Sequence, residues 1–146
     1  MPLLNYTTSI AADKTAHEIA AVLSKAGATQ VLTDYANGRP TGLAFALDTP
    51  TGVRRYRLPV DAPAVEQVLR KQRVERRYQS TEQAERVAWR IVKDWVLAQV
   101  AIIETQMVAA DQVFLPYMLT SATETIYDLF IAEQLALGVG EARVTP

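Results

Sequence analysis

The sequence predicts an α+β domain: an N-terminal strand, a helix and a three-stranded antiparallel meander, then a long apolar helix and shorter C-terminal helices. Three observations carry this. Ala16, Ile19, Ala20, Leu23 and Ala26 form one helical stripe that stops at Gly27. Asn37-Gly38, a strong hairpin signal, sits between two alternating segments. Apolar residues then recur at helical spacing from Ala84 to Ile103. A length of 146 residues fits one domain, with a β-rich half over 1–60 and a helical half over 61–146.

Asn5 to Ile10 reads as the first strand, because Tyr6, Thr7 and Thr8 favour extended backbone. Thr15 and Glu18 have capping-box spacing, which places the start of the first helix at Thr15. Gly27 is suited to the left-handed residue that ends it. Ala28 to Ala36 forms the next strand, and Gly42 to Thr49 its partner, with Leu43, Phe45 and Leu47 on one face. Pro50-Thr51-Gly52 turns the chain into Val53 to Leu58, and Pro59 ends that strand.

Asp61 and Pro63 open a short helix over Ala62 to Arg70. Residues 70–80 are basic and lack a period, so they read as a surface loop or a frayed helical extension. Ser80 with Gln83 forms a second capping box and opens a helix to about Met107. Its second half is apolar nearly all round, which predicts burial from several sides. Pro116 interrupts Asp111 to Leu119. Ser121 with Glu124 predicts the cap of a last helix containing Ile126, Tyr127, Phe130 and Ile131. Gly138 and Gly140 predict a loosened tail.

Composition excludes several chemistries. There is no cysteine, hence no disulfide framework and no thiolate zinc site. The single histidine, His17, excludes His-rich metal sites, and it lies opposite the first helix's main stripe as a surface residue. No P-loop, GxGxxG, HExxH or EF-hand pattern occurs. Asp34 and Asp48 flank the hairpin and would suit carboxylate chemistry only if they met in a cleft. No catalytic residue, metal or cofactor is therefore expected. The start of the chain lacks a basic segment followed by an apolar one, so no secretory signal is expected. The most apolar stretch, Trp95 to Ile103, is interrupted by Gln99 and is too short to span a bilayer. A cytoplasmic protein is expected.

The net charge of −1 conceals an asymmetry. Residues 54–93 carry +6 and the remainder −7. Arg55 and Arg57 share one face of the last strand, with Arg54 and Tyr56 on the other. Arginine grips phosphate with a planar fork and stacks on bases, and aromatic residues stand nearby in sequence. Arg54, Arg55, Arg57, Trp89 and Arg90 are thus the candidate ligand-binding residues, with Trp89 a pocket wall or a subunit contact and Trp95 core. The same arginines would equally suit a solvated edge strand.

Asn5-Tyr6-Thr7-Thr8-Ser9-Ile10, Ala88-Trp89-Arg90-Ile91-Val92-Lys93-Asp94-Trp95-Val96 and Phe114-Leu115-Pro116-Tyr117 together resemble a family of small phage and prophage proteins without an assigned activity. The resemblance covers most of the chain apart from Arg70–Gln79 and the last few residues. It implies a phage setting, hence the cytoplasm of a host cell, and supplies no catalytic residue. That setting suits counter-defence proteins that sequester nucleotide signals, and accessory proteins of replication or recombination.

The expectation is accordingly a non-enzymatic binding protein for an anionic, nucleotide-like small molecule. A nucleic-acid partner through the basic 70–77 segment is the alternative, and a structural, partner-binding role a third. No membrane partner is expected. Excess apolar surface on the C-terminal helices predicts a homo-oligomer.

Overall fold

The computed structural model describes residues 1–144, with side-chain surroundings described through Leu137. Its architecture is α+β. A first helix α1 (Ala12–Lys25) precedes the antiparallel strands β1 (Gln30–Ala36), β2 (Arg39–Thr49) and β3 (Gly52–Arg57), in spatial order β1-β2-β3. Helices α2 (Ala62–Lys71), α3 (Thr81–Glu104), α4 (Ala110–Val113) and α5 (Ile126–Val144) follow.

The meander forms where turn chemistry and alternation agree. Asn37 and Gly38 both have positive φ, 53° and 75°, as a two-residue hairpin turn of the favoured twist requires. Leu43, Phe45 and Leu47 of β2 then face the same way as Tyr56 of β3, and all four are buried. Ile19 and Leu23 of α1, and Trp89, Val92 and Val96 of α3, close the core over this inner face. α3 lies between α1 and α2. Gly27 ends α1 at φ 107°, with the Ala28 amide donating to Leu23 O at 2.9 Å and the Gly27 amide to Ser24 O at 3.2 Å.

Four local expectations are corrected. Residues 5–10 are not a strand. Asn5 is left-handed (φ 64°), turns close from Tyr6 to Leu3 and from Thr8 to Asn5, and the Gln83 side chain donates to the Tyr6 and Thr8 carbonyls at 2.9 Å each. A side chain of α3 thus occupies the acceptors that a sheet ladder would need. Gln83 is therefore buried, and it leaves its capping box half made: Ser80 Oγ accepts from the Gln83 amide at 3.1 Å without a return bond.

Helix α1 begins three residues before Thr15. That residue is buried within the first turns, its hydroxyl donating back to Ala11 O. The final capping box is displaced by four positions. The Asp128 amide donates to Thr125 Oγ1 at 3.2 Å and the Thr125 amide to Asp128 Oδ2 at 3.0 Å, while Ser121 caps only its own turn. Helix α5 runs from Ile126 to Val144, through Gly138 and Gly140. Pro146 lies outside the described residues.

The second half of α3 is also less enclosed than its composition implies. Val96 and Val100 are buried, but Leu97 remains 43% exposed. Residues 70–80 form a compact connection rather than a long open loop. A 3-10 turn at Arg76–Tyr78 places Tyr78 edge-on against Tyr6, and Arg77 stacks over Tyr78.

Candidate functional site

The inner sheet face is filled by helices, whereas the outer face is recessed and open. Strand alternation puts Gln30 and Leu32 of β1, Gly42, Ala44 and Ala46 of β2, and Val53, Arg55 and Arg57 of β3 on that outer face. Small side chains along the central strand, with longer ones on both flanks, make a trough of about 980 Å³. Residues 119–122 form one wall, held by the Leu119 amide donating to Arg55 O at 2.7 Å and by the Tyr56–Met118 bridge.

Arg57 crosses the central strand to Asp34, Nη1 to Oδ2 at 3.3 Å. The absence of a side chain at Gly42 makes that crossing possible, because a Cβ there would stand 3.0 Å from Arg57 Nη1. The pair is half-exposed, so it contributes at most about 1 kcal/mol of stability and leaves Arg57 partly neutralised. Arg55 is exposed and has no ion-pair or side-chain hydrogen-bond partner among the described residues. Arg54 folds back on the β2–β3 turn, Nε to Thr51 Oγ1 at 3.2 Å and Nη2 to Thr51 O at 3.0 Å.

The five expected ligand-binding residues do not converge. Arg55 and Arg57 share the trough and Arg54 reaches its lining, but Trp89 and Arg90 lie elsewhere. Trp89 is 1% exposed on the inner side, its indole N–H donating to Pro40 O at 3.3 Å. It is core, whereas Trp95 is the half-buried indole, edge-on to Phe114 and Tyr117. Trp89 is therefore no pocket wall, and Trp95 packs against the core as expected but remains half-buried. Helix phase alone does not reveal which side of α3 meets the sheet.

Arg90 and Lys93 both bond Glu18 on α1, Nη1 to Oε1 at 3.1 Å and Nζ to Oε2 at 2.9 Å. These two cations clamp helices together. The basic segment is thus split among the sheet face, the α2–α3 connection and the α1–α3 seam.

The Lys93 hydrogen bond, reinforced by the Lys93 and Arg90 charges, holds the Glu18 carboxyl below its usual range. A carboxylate with a lowered folded-state pKa stabilises the fold above the carboxylate range and loses that contribution as pH falls through it. Wild type should therefore melt above Glu18→Gln at neutral pH, and the two should converge on acidification. Parallel melting curves at every pH would contradict the clamp.

Tyr56 is fully buried on the inner face, stacked on Phe45, and its hydroxyl has no partner among the described residues. Burial, with a smaller effect from Asp111, raises its pKa. His17 is exposed on α1, its Nδ1 near Asp13 O. Asp34 pairs opposite Gly42, and Asp48 lies six positions further along β2, about 20 Å away at 3.4 Å per residue. The two carboxylates therefore do not form a catalytic pair. Among the described residues no three metal-capable side chains gather, and no helix is long and apolar enough to cross a membrane.

The trough's floor had a signal in the sequence: Ala44 and Ala46 alternate with the buried Leu43, Phe45 and Leu47. The 119–122 wall had none, because it depends on a long-range bond to β3. No family model matches the chain, and no curated protein or solved structure matches it.

Proposed function

We propose that this chain is a non-enzymatic binding protein that holds an anionic, nucleotide-derived small molecule on its outer sheet face. The observation that carries this reading is Arg55, without an ion-pair partner among the described residues, beside Arg57 in a recessed trough. Its planar fork would take phosphate oxygens, while Leu32 and Val53 offer apolar contact to the rest of the ligand. The trough lining includes no aromatic ring except Phe45, which is buried, so recognition would rest on charge and aliphatic contact rather than ring stacking. Holding rather than converting the ligand accords with the lining chemistry. It contains no histidine or carboxylate, and Ser121 Oγ is engaged by the Thr123 and Glu124 amides.

The test is titration with adenosine triphosphate and a cyclic dinucleotide. A binder should raise the melting temperature at saturation. Arg55→Ala should weaken binding by at least about tenfold, since a charged hydrogen bond contributes about 1.5–3 kcal/mol. Arg57→Ala should have a smaller effect, because Asp34 already holds that side chain. No binding of either probe, or binding unchanged in Arg55→Ala, would remove the reading. If deletion of residues 71–77 instead abolished a steeply salt-dependent affinity for DNA, the nucleic-acid alternative would replace it.

A further inference from the structure

Two surfaces of this chain lack a partner among the described residues. One is the trough. The other is α5, which is mostly apolar and exposes large side chains: Leu129 is 45% exposed, Phe130 53%, Leu135 77% and Leu137 56%. Exposed apolar surface of this extent marks an interaction face. Within its own chain, α5 packs at its start against the 3-10 turn Leu115–Tyr117, and no described α5 residue lines the trough.

We propose that α5 of a second copy docks in the trough, and that the exchange is reciprocal, giving a twofold dimer. Charge matches: the only charged residues over 126–137 are the acids Asp128, which accepts the Thr125 amide in the helix cap, and Glu133, and the trough presents Arg55. Shape matches too. Residues 126–137 rise about 18 Å as a helix. The trough runs along β3 from Val53 to Arg57, about 14 Å, and three strands are about 14 Å wide. One helix with its side chains is about 10–12 Å across. The small floor of Ala44 and Ala46 admits it closely.

Reciprocal docking pairs unlike surfaces but closes after two copies, so it leaves neither face open. This proposal rests on the reading of the trough as the recognition surface, and it makes that surface self-regulated. The α5 helix of the second copy and an anionic ligand compete for Arg55.

The test uses the full chain and light scattering. Wild type should have twice the chain mass. Leu129→Asp/Leu135→Asp on α5 and Leu32→Asp/Val53→Asp on the sheet should each be monomeric. All four positions are already exposed, and circular dichroism checks that the variants fold. Mixing the two variants should restore a dimer, because one intact α5 then meets one intact trough. A monomeric wild type would overturn the proposal. So would an α5 variant that stays dimeric, or a sheet variant that stays dimeric while mixing restores nothing, which would mean that α5 pairs with α5.

Binding of the same nucleotide probes to the α5 variant separates this inference from the proposed function. The freed trough should bind them more tightly than wild type does. Dimer rescue without probe binding would sink only the anion reading. Probe binding by a monomeric wild type would sink only the docking.

Discussion

Trp89→Ala is expected to destabilise the protein by about 3–5 kcal/mol, the usual cost of removing a buried aromatic side chain. Trp89 is 1% exposed, lies among Leu43, Phe45 and Val92 in the core cluster, and donates its indole N–H to Pro40 O. Its removal opens a cavity between α3 and the sheet and leaves that carbonyl without its partner. A domain's total stability is only about 5–15 kcal/mol, so the melting temperature should fall by roughly 10 °C or more. Trp89→Phe retains most of the volume and loses the hydrogen bond, so it should cost about 1–3 kcal/mol. Denaturant unfolding of both variants provides the measurement. A loss below about 1 kcal/mol in Trp89→Ala, together with weakened nucleotide binding, would return Trp89 to the pocket wall that its neighbour Arg90 suggested.

Phe114→Ala should cost a similar amount but act locally first. Phe114 is 2% exposed and meets Phe45 at 5.2 Å, Trp95 at 5.8 Å and Tyr56 at 6.0 Å between ring centroids. It is the anchor by which the chain after α3 joins the core. Its truncation is expected to cost about 3–5 kcal/mol. The segment it anchors carries Leu119, whose amide bonds Arg55 O at the trough wall. Hydrogen exchange at Leu119 should therefore accelerate more than at Phe45 in the central strand, because local opening needs less free energy than global unfolding. Equal acceleration at both amides would show that Phe114 supports the fold as a whole and not this wall in particular.

These two residues mark the division between local and long-range information. The helix α1, the hairpin at Asn37-Gly38, the third strand and the cap at Asp61 were legible, because each depends on residues within a few positions of one another. Thr15 and Ser121 misled for the same reason. Both have the spacing of a cap, but Thr15 lies inside the first turn of α1 with its hydroxyl bonded to Ala11 O, and Ser121 caps an isolated turn. Asn5 to Ile10 misled because β-branched and aromatic residues favour extension only when a ladder is available. Here Gln83, 77 residues away from Tyr6, holds the carbonyls instead.

The candidate site divides in the same way. That Arg55 and Arg57 share a face, with Arg54 and Tyr56 opposite, follows from the period of a strand, and the sequence by itself determined it, along with the fold class and the concentration of positive charge over residues 54–93. Only the tertiary structure decided which of those charges remain available. Arg90 is taken by Glu18 across the α1–α3 seam, Arg57 is half taken by Asp34 across Gly42, and Arg55 stands apart from both. Only it decided that Trp89 is buried core, with Trp95 packed against that core and half-buried. The physical reason is that periodicity records which residues share a face of one element. Ion pairing and burial depend on which other element that face meets, and those partners lie from 23 to 72 residues away in the chain.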